Sequence, residues 1–275
     1  RLANVGATSA VFEPQALTVA EREEIEKAFG GALTPDKEIV SALRRIKEPE
    51  EIETIRRASA LAEGVLADML EELSEGLTER ELAARFEYEF KRRGGSGASF
   101  DTIALFGPRS SLPHGAPGAT PLRVGDVVLL DFGCRLDGYC SDLTRTYAFG
   151  TIPRSWFEGA YELVLTAQRI ALEATRPGIS ARELDATARD LIEEAGHGKY
   201  FGHGLGHGVG IEIHEGPRLN RESESILEPG MVITIEPGIY LPGLGGIRIE
   251  DLVAVTEDGC EILSSTSKEL RVIEA

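Results

Sequence analysis

The sequence predicts a duplicated α+β fold with pseudo-twofold symmetry, an antiparallel sheet covered by helices. Two observations carry this reading. Gly76-Leu-Thr-Glu-Arg-Glu-Leu-Ala-Ala aligns with Gly178-Ile-Ser-Ala-Arg-Glu-Leu-Asp-Ala, 102 residues later. Each contains a capping box, Thr78 with Glu81 and Ser180 with Glu183, opening a helix that runs to Gly94 or Gly196. The surrounding order also repeats: a long helix precedes each box, and strand-rich, glycine-punctuated sequence follows at 99–150 and 208–273. One capping box is a common coincidence. Helix, helix and sheet in matched order over both halves is not.

In chain order, residues 1–46 read as a strand at Ala10–Phe12, a helix from about Thr18 to Phe29 and another around Asp36–Arg45. So short a stretch cannot enclose a core. It is expected to be the last portion of a larger upstream domain, with the main domain spanning 47–275. That domain opens on Lys47-Glu-Pro-Glu-Glu, a first helical turn with proline and acids. The apolar stripe Ile52, Ile55, Ala58, Leu61, Ala62, Val65, Met69 then continues a helix over 50–75. Its counterpart falls at about 155–176.

The composition narrows the classes of function. With 46 acidic and 29 basic side chains the formal charge is −17, and no basic block offsets it, which argues against nucleic acid or an anionic membrane as partner. No run of 18 apolar residues exists to span a bilayer. Three cysteines are too few for a disulfide scaffold, so a reducing cytoplasm is expected.

Within the first repeat, Val127-Val-Leu-Leu-Asp-Phe-Gly-Cys and Cys140-Ser-Asp-Leu-Thr-Arg-Thr form a hairpin around Asp137-Gly138. A two-residue loop there pairs Asp131 with Thr144. Thr144 and Asp142 then share a face, and Asp131 and Asp142 become diagonal neighbours. Two acids on one face of buried strands repel unless a cation neutralises them. A solvent-facing surface is the alternative, and the Val-Val-Leu-Leu run, apolar on both faces, argues against it. The same parity places Cys134 and Cys140 on opposite faces, so no disulfide is expected between them.

The second repeat has the same device. Glu236 and Glu250 lie in isoleucine-rich strands flanking a loop at 241–246. Arg248 shares the parity of Glu250 and is expected to orient it, though a purely structural Arg–Glu pair would read alike. Histidines complete the set: His203, His207 and His214 fall in Gly202-His-Gly-Leu-Gly-His-Gly-Val-Gly and Ile-Glu-Ile-His, and His114 falls in Leu-Pro-His-Gly. Four of five histidines clustering with glycines that allow close backbone approach favour chemistry over chance. His197, in a helix exit, is left as surface or cap. Zinc-protease, phosphate-loop, dinucleotide, kinase and serine-elbow motifs all fail to form.

The ordered set Asp131, Asp142, His207, Glu236, Glu250, with His114, His203 and His214, resembles the pita-bread metallopeptidase family. Leu-Pro-His-Gly, Gly-Tyr-Cys-Ser-Asp-Leu-Thr-Arg-Thr, His-Gly-Leu-Gly-His and Gly-Ile-Arg-Ile-Glu-Asp resemble its Xaa-Pro peptidase branch, the prolidases and Xaa-Pro aminopeptidases. Methionine aminopeptidases share the fold but differ at the last ligand and at His203. The resemblance implies Asp131 on one metal, His207 and Glu236 on the other, and Asp142 and Glu250 bridging both. Four carboxylates balance two divalent cations, with manganese first and cobalt, zinc or iron as alternatives. It further implies a metal-bridging hydroxide as nucleophile, Glu236 as general base, and His203 and His214 holding the carbonyl. His114 would help close the proline subsite, and Thr144 and Arg248 would support the ligands.

The substrate so implied is a short proline-containing peptide, and the full-length protein is expected to be a homodimer. The branch carries a long N-terminal domain, of which 1–46 is read as a remnant. Two other readings remain open on the same fold: a metal-independent hydrolase, and a non-enzymatic partner-binding protein.

Overall fold

The computed structural model describes residues 6–275, and the chain divides at Ile46 into two units, Arg1–Ile46 and Lys47–Ala275. In the first, β1 (Ser9–Phe12), α1 (Val19–Phe29), β2 (Ala32–Pro35) and α2 (Ile39–Arg45) follow one another. Thr18 and Glu21 cap α1 reciprocally, and Gly30, at φ 66°, ends it in the left-handed region only glycine enters freely. β2 pairs in parallel with β1. It is absent from the sequence reading because Ala-Leu-Thr-Pro carries no alternation. Neither helix buries a residue.

The second unit begins with α3 (Pro49–Glu71) and α4 (Glu79–Arg92), then β3 (Gly97–Ala98), β4 (Ile103–Phe106), β5 (Val127–Phe132), β6 (Cys134–Leu136), β7 (Tyr139–Cys140) and β8 (Leu143–Phe149). The order then repeats: α5 (Ser155–Ala174), α6 (Ala181–Glu194), β9 (Gly206–Gly208), β10 (Glu215–Leu219), β11 (Val232–Ile235), β12 (Gly238–Leu241), β13 (Gly245–Arg248) and β14 (Asp251–Val255). β15 (Cys260–Ile262) and β16 (Val272–Ile273) close the chain.

Both predicted capping boxes form, at Thr78 and at Ser180. Each cap residue also bridges to the sheet side of its own half, Thr78 to Pro121 and Ser180 to Ile226. The neighbouring bonds match as well: Leu122 N donates to Leu77 O at 2.8 Å, and Leu227 N to Ile179 O at 2.9 Å. Each helix pair covers its own strands. Leu66 and Phe86 pack with Leu130 and Tyr147, while Val164 and Leu184 pack with Ile233 and Val253.

The central strands run in orders β16-β8-β5-β4 and β10-β9-β11-β14-β15. Asp131 lies opposite Thr144, as the two-residue loop requires. Asp137 and Gly138 both have positive φ, 49° and 90°, the signature of the type I′ turn whose twist matches the hairpin. Each hairpin bends midway. The first passes from β5–β8 to β6–β7 at Gly133, where any Cβ would sit 1.9 Å from Ser141 O. The second passes from β11–β14 to β12–β13. Asp142, Glu236 and Glu250 lie at these bends, where strand pairing lapses and side chains turn inward together. Every residue of β5, β8 and β11 to β14 is buried, which removes the solvent-face alternative. Among the described residues no helix is long and apolar enough to cross a membrane. Cys134, Cys140 and Cys260 are free thiols.

Candidate metal centre

Asp131, Asp142 and Glu250 each bring one carboxylate oxygen within 4.8 Å of the others. His207, on β9, extends this cluster: its Nε2 lies 3.5 Å from Asp142 Oδ2 and 3.4 Å from Glu236 Oε1. Asp142 therefore belongs to both groups. All five residues line one cavity of about 260 Å3, together with His114, His203 and His214. The sequence-predicted set thus converges, drawn from both halves of the repeat. His197 stands apart, heading a short 3₁₀ turn at Gly198–Tyr200 and packing against Tyr200.

The glycines around His207 let its strand lie against neighbouring backbone. A Cβ at Gly206 would come within 2.1 Å of Thr234 O, and one at Gly208 within 2.2 Å of Gly216 O. Thr234 Oγ1 accepts from His207 N and donates to Glu236 Oε1, each at 3.0 Å. The imidazole is set by its own Nδ1, 3.0 Å from Gly208 O. A carbonyl only accepts, so Nδ1 carries the hydrogen and Nε2 presents its lone pair to the carboxylates. That is a ligand-ready tautomer.

Arg248 is the buried cation of the cavity wall. Its guanidinium pairs with Asp131, donates to Thr144 Oγ1 at 3.0 Å and lies 4.0 Å from Glu236. It does not bond Glu250 directly, as parity had led us to expect. Thr144 relays the contact by donating to Glu250 Oε2 at 2.7 Å. The bend at Ile249 separates Arg248 from Glu250, so the guanidinium reaches across to the other hairpin instead. Arg248 also donates to Tyr240 Oη at 2.7 Å, and that hydroxyl lies 2.8 Å from His203 Nε2. Burial, then the Arg248 charge, lowers the His203 pKa to about 3, so its ring is neutral at pH 7. His214 packs edge-on against His207, 4.4 Å between ring centroids, and burial lowers its pKa too. His114 is exposed at the cavity mouth.

Sequence reasoning missed Tyr240, Thr234 and Arg218. Tyr240 had a signal, since it shares the period-two face of Glu236. Arg218 had none: it lies opposite His207 only because β9 and β10 pair.

Four carboxylates thus surround the cavity, and Arg248 is the guanidinium that pairs with them. Burial, then Glu250 and Asp131, pushes Asp142 well above the usual carboxylate range; burial, then Glu236 and Asp131, does the same to Glu250. Glu236 rises to about 7, chiefly through burial. Asp131 Oδ1 is buried with no hydrogen-bond partner among the described residues. A buried acceptor left open beside three other acids, with one imidazole nitrogen, fits divalent cations that favour oxygen ligands.

The pH dependence follows with a definite sign. Without metal, folded Glu236 holds its proton up to about pH 7, whereas the unfolded side chain loses it near 4.5. Its contribution to stability is complete below pH 4.5 and is lost as pH rises through 7, on the order of 3 kcal/mol. The metal-free protein is expected to melt lower at pH 8 than at pH 5. Divalent metal should remove that slope and bind more weakly as pH falls, because binding displaces protons. Calorimetric melting at both pH values, with and without metal, checks this.

Fold and site together define a metalloenzyme with a duplicated catalytic domain. The chain belongs to metallopeptidase family M24, which matches residues 53–257. It is 44% identical over 272 residues to the putative dipeptidase YkvY of Bacillus subtilis, covering 98% of this chain and 74% of that protein. It is 48% identical over 233 residues to the Xaa-Pro dipeptidase of Pyrococcus furiosus, covering 85% of this chain and 67% of that one. Among solved structures, the Xaa-Pro dipeptidase from Bacillus anthracis superposes with a TM-score of 0.95 at 40% identity, over 98% of this chain and 76% of that chain. The X-Pro aminopeptidase from Thermotoga maritima gives 0.94 at 37%, over 99% and 77%. The fold is therefore the pita-bread fold, and the protein is a metallopeptidase rather than a partner-binding relative.

Proposed function

We propose that this protein is a dinuclear-metal exopeptidase that hydrolyses the imide bond of Xaa-Pro dipeptides. The observation that carries the reading is the position of Asp142, shared between the Asp131–Glu250 cluster and the His207–Glu236 pair. Asp131 would hold one cation, His207 and Glu236 the other, and Asp142 and Glu250 would reach both; manganese is the preferred ion. Bound there, the cations supply Lewis acidity to the scissile carbonyl and lower the pKa of the attacking water.

The protein's own groups do the rest. Glu236 takes the proton from the attacking water and passes it to the leaving proline nitrogen, a task suited to a carboxylate set apart by burial. His214 donates to the carbonyl oxygen, and His114 closes over the proline ring. His203, neutral, with Nδ1 donating to Gly204 O and Nε2 accepting from Tyr240 Oη, packs beside the carbonyl as part of its wall. Arg248 and Thr144 keep Asp131 and Glu250 aimed at the cavity. The free thiols accord with a reducing cytoplasm as the compartment.

Arg218 favours a dipeptide over a longer chain. It lines the same cavity opposite His207 and makes no ion pair among the described residues. A free carboxylate on proline would meet it, whereas a longer peptide brings a neutral amide. Proline release from an Xaa-Pro dipeptide by protein loaded with manganese or cobalt is the direct test, and an inert, metal-loaded protein would refute the proposal. Arg218→Leu is expected to raise KM for the dipeptide about 10- to 100-fold, the worth of a charge-assisted hydrogen bond. Hydrolysis of the corresponding Xaa-Pro amide should be unchanged. Equal losses on both substrates would remove Arg218 from carboxylate binding.

A further inference from the structure

Two fully buried carboxylates outside the metal cavity, Glu79 and Asp185, do similar work in opposite halves of the molecule. Glu79 opens α4. Its Oε1 accepts from Phe106 N at 3.0 Å and its Oε2 from Gly118 N at 2.8 Å, so one side chain grips both ends of the segment that carries His114. Arg109, within that segment, donates Nε to both Glu79 oxygens at 3.0 Å and Nη2 to Ala116 O at 2.7 Å. On the cavity side, Arg248 donates to Pro113 O at 3.3 Å. His114 itself is exposed, so its position comes from the loop beneath it.

Asp185, on α6, serves the segment that carries His203. Its Oδ1 accepts from Leu205 N at 2.9 Å, and both its oxygens accept from Arg189, at 2.6 and 2.7 Å. Arg189 in turn donates to Phe201 O at 3.0 Å and to His203 O at 2.6 Å. Its guanidinium lies 4.1 Å from the centre of the Phe201 ring, and that ring packs edge-on against His203. Loop backbone needs partners for its N–H and C=O groups. A carboxylate–arginine pair supplies both kinds at once, acceptors from the acid and donors from the guanidinium.

The duplication does not explain the match. The 102-residue offset carries Glu79 onto Ala181 and Asp185 back onto Ala83. The two halves use non-equivalent positions to do the same thing to the same kind of loop. We propose that Glu79 and Asp185, each with its arginine, are positioning residues that fix His114 and His203 on their two walls of the cavity. Their importance for turnover rests on the peptidase reading above; their action on the histidines does not.

The test separates these. In zinc-loaded protein, which is diamagnetic, the imidazole 1H–15N spectrum reports on only five histidines. Glu79→Gln should shift or broaden the His114 ring and leave His203 in place, and Asp185→Asn should do the reverse. Where Glu79→Gln fails to fold, Arg109→Gln removes part of the same clamp from a side chain that is 37% exposed. With metal content unchanged, kcat/KM on an Xaa-Pro dipeptide should fall about tenfold or more, as small misplacements of binding groups do. Glu79→Gln should cost nothing further in a His114→Ala background, and its full effect in a His203→Ala background. Unmoved rings, or both rings moved alike by either substitution, would overturn the proposal. Selective ring shifts in a protein inert toward the dipeptide would instead sink the peptidase reading and leave the positioning role standing.

Discussion

Glu236→Gln is expected to lower kcat on an Xaa-Pro dipeptide by about a thousandfold or more. Proton transfer by a placed acid or base contributes roughly 10²–10⁴ to turnover, and this side chain is assigned a metal contact as well. Glutamine has nearly the same shape, so Thr234 can keep donating to the remaining carbonyl oxygen and the strand should persist. The neutral amide can neither accept the proton nor help balance the charge of a cation bound beside His207. Kinetics should be read beside metal content, because loss of one ion alone would also silence the site. A variant retaining a tenth of wild-type turnover with both metals bound would rule out Glu236 as the base.

Arg248→Met is expected to give the largest loss of stability. The guanidinium is buried and holds Asp131, Thr144, Tyr240 and Pro113 together. Removing one partner of a buried charge pair costs about 3–5 kcal/mol, because the other charge is left uncompensated. In a chain of this size that lowers the melting temperature by on the order of 10 °C. The sign of the rescue is informative. Divalent metal should recover part of the loss by replacing the missing positive charge, and so should mild acid, which protonates Asp142, Glu236 and Glu250. Metal-free Arg248→Met melting at the wild-type temperature would show that the guanidinium does not offset these acids.

Much of this was legible in the chain. The first hairpin's register followed from Asp137-Gly138, because a two-residue turn leaves the pairing no freedom, and Asp131 does face Thr144. The starts of α4 and α6 were equally local, each written into four residues of a capping box. Arg248 was read too simply. Parity along a strand says which face a side chain takes, but the bend after β13 carries the guanidinium to Asp131 in the other hairpin. Glu79, Asp185 and Arg218 left no mark in their own neighbourhoods, since an acid in a helix looks the same whether it meets solvent or a loop.

By itself, the sequence determined the repeat, the hairpins and the identity of the acids and histidines, because these depend on turn chemistry, caps and period-two alternation over a few residues. Tertiary structure decided which of them meet. Asp142 and His207 come from different halves, and the bends turn carboxylates that alternation could only place on a face toward one cavity. Which charge neutralises which, and which buried acid steadies which loop, is fixed by distances across the fold that no local pattern encodes.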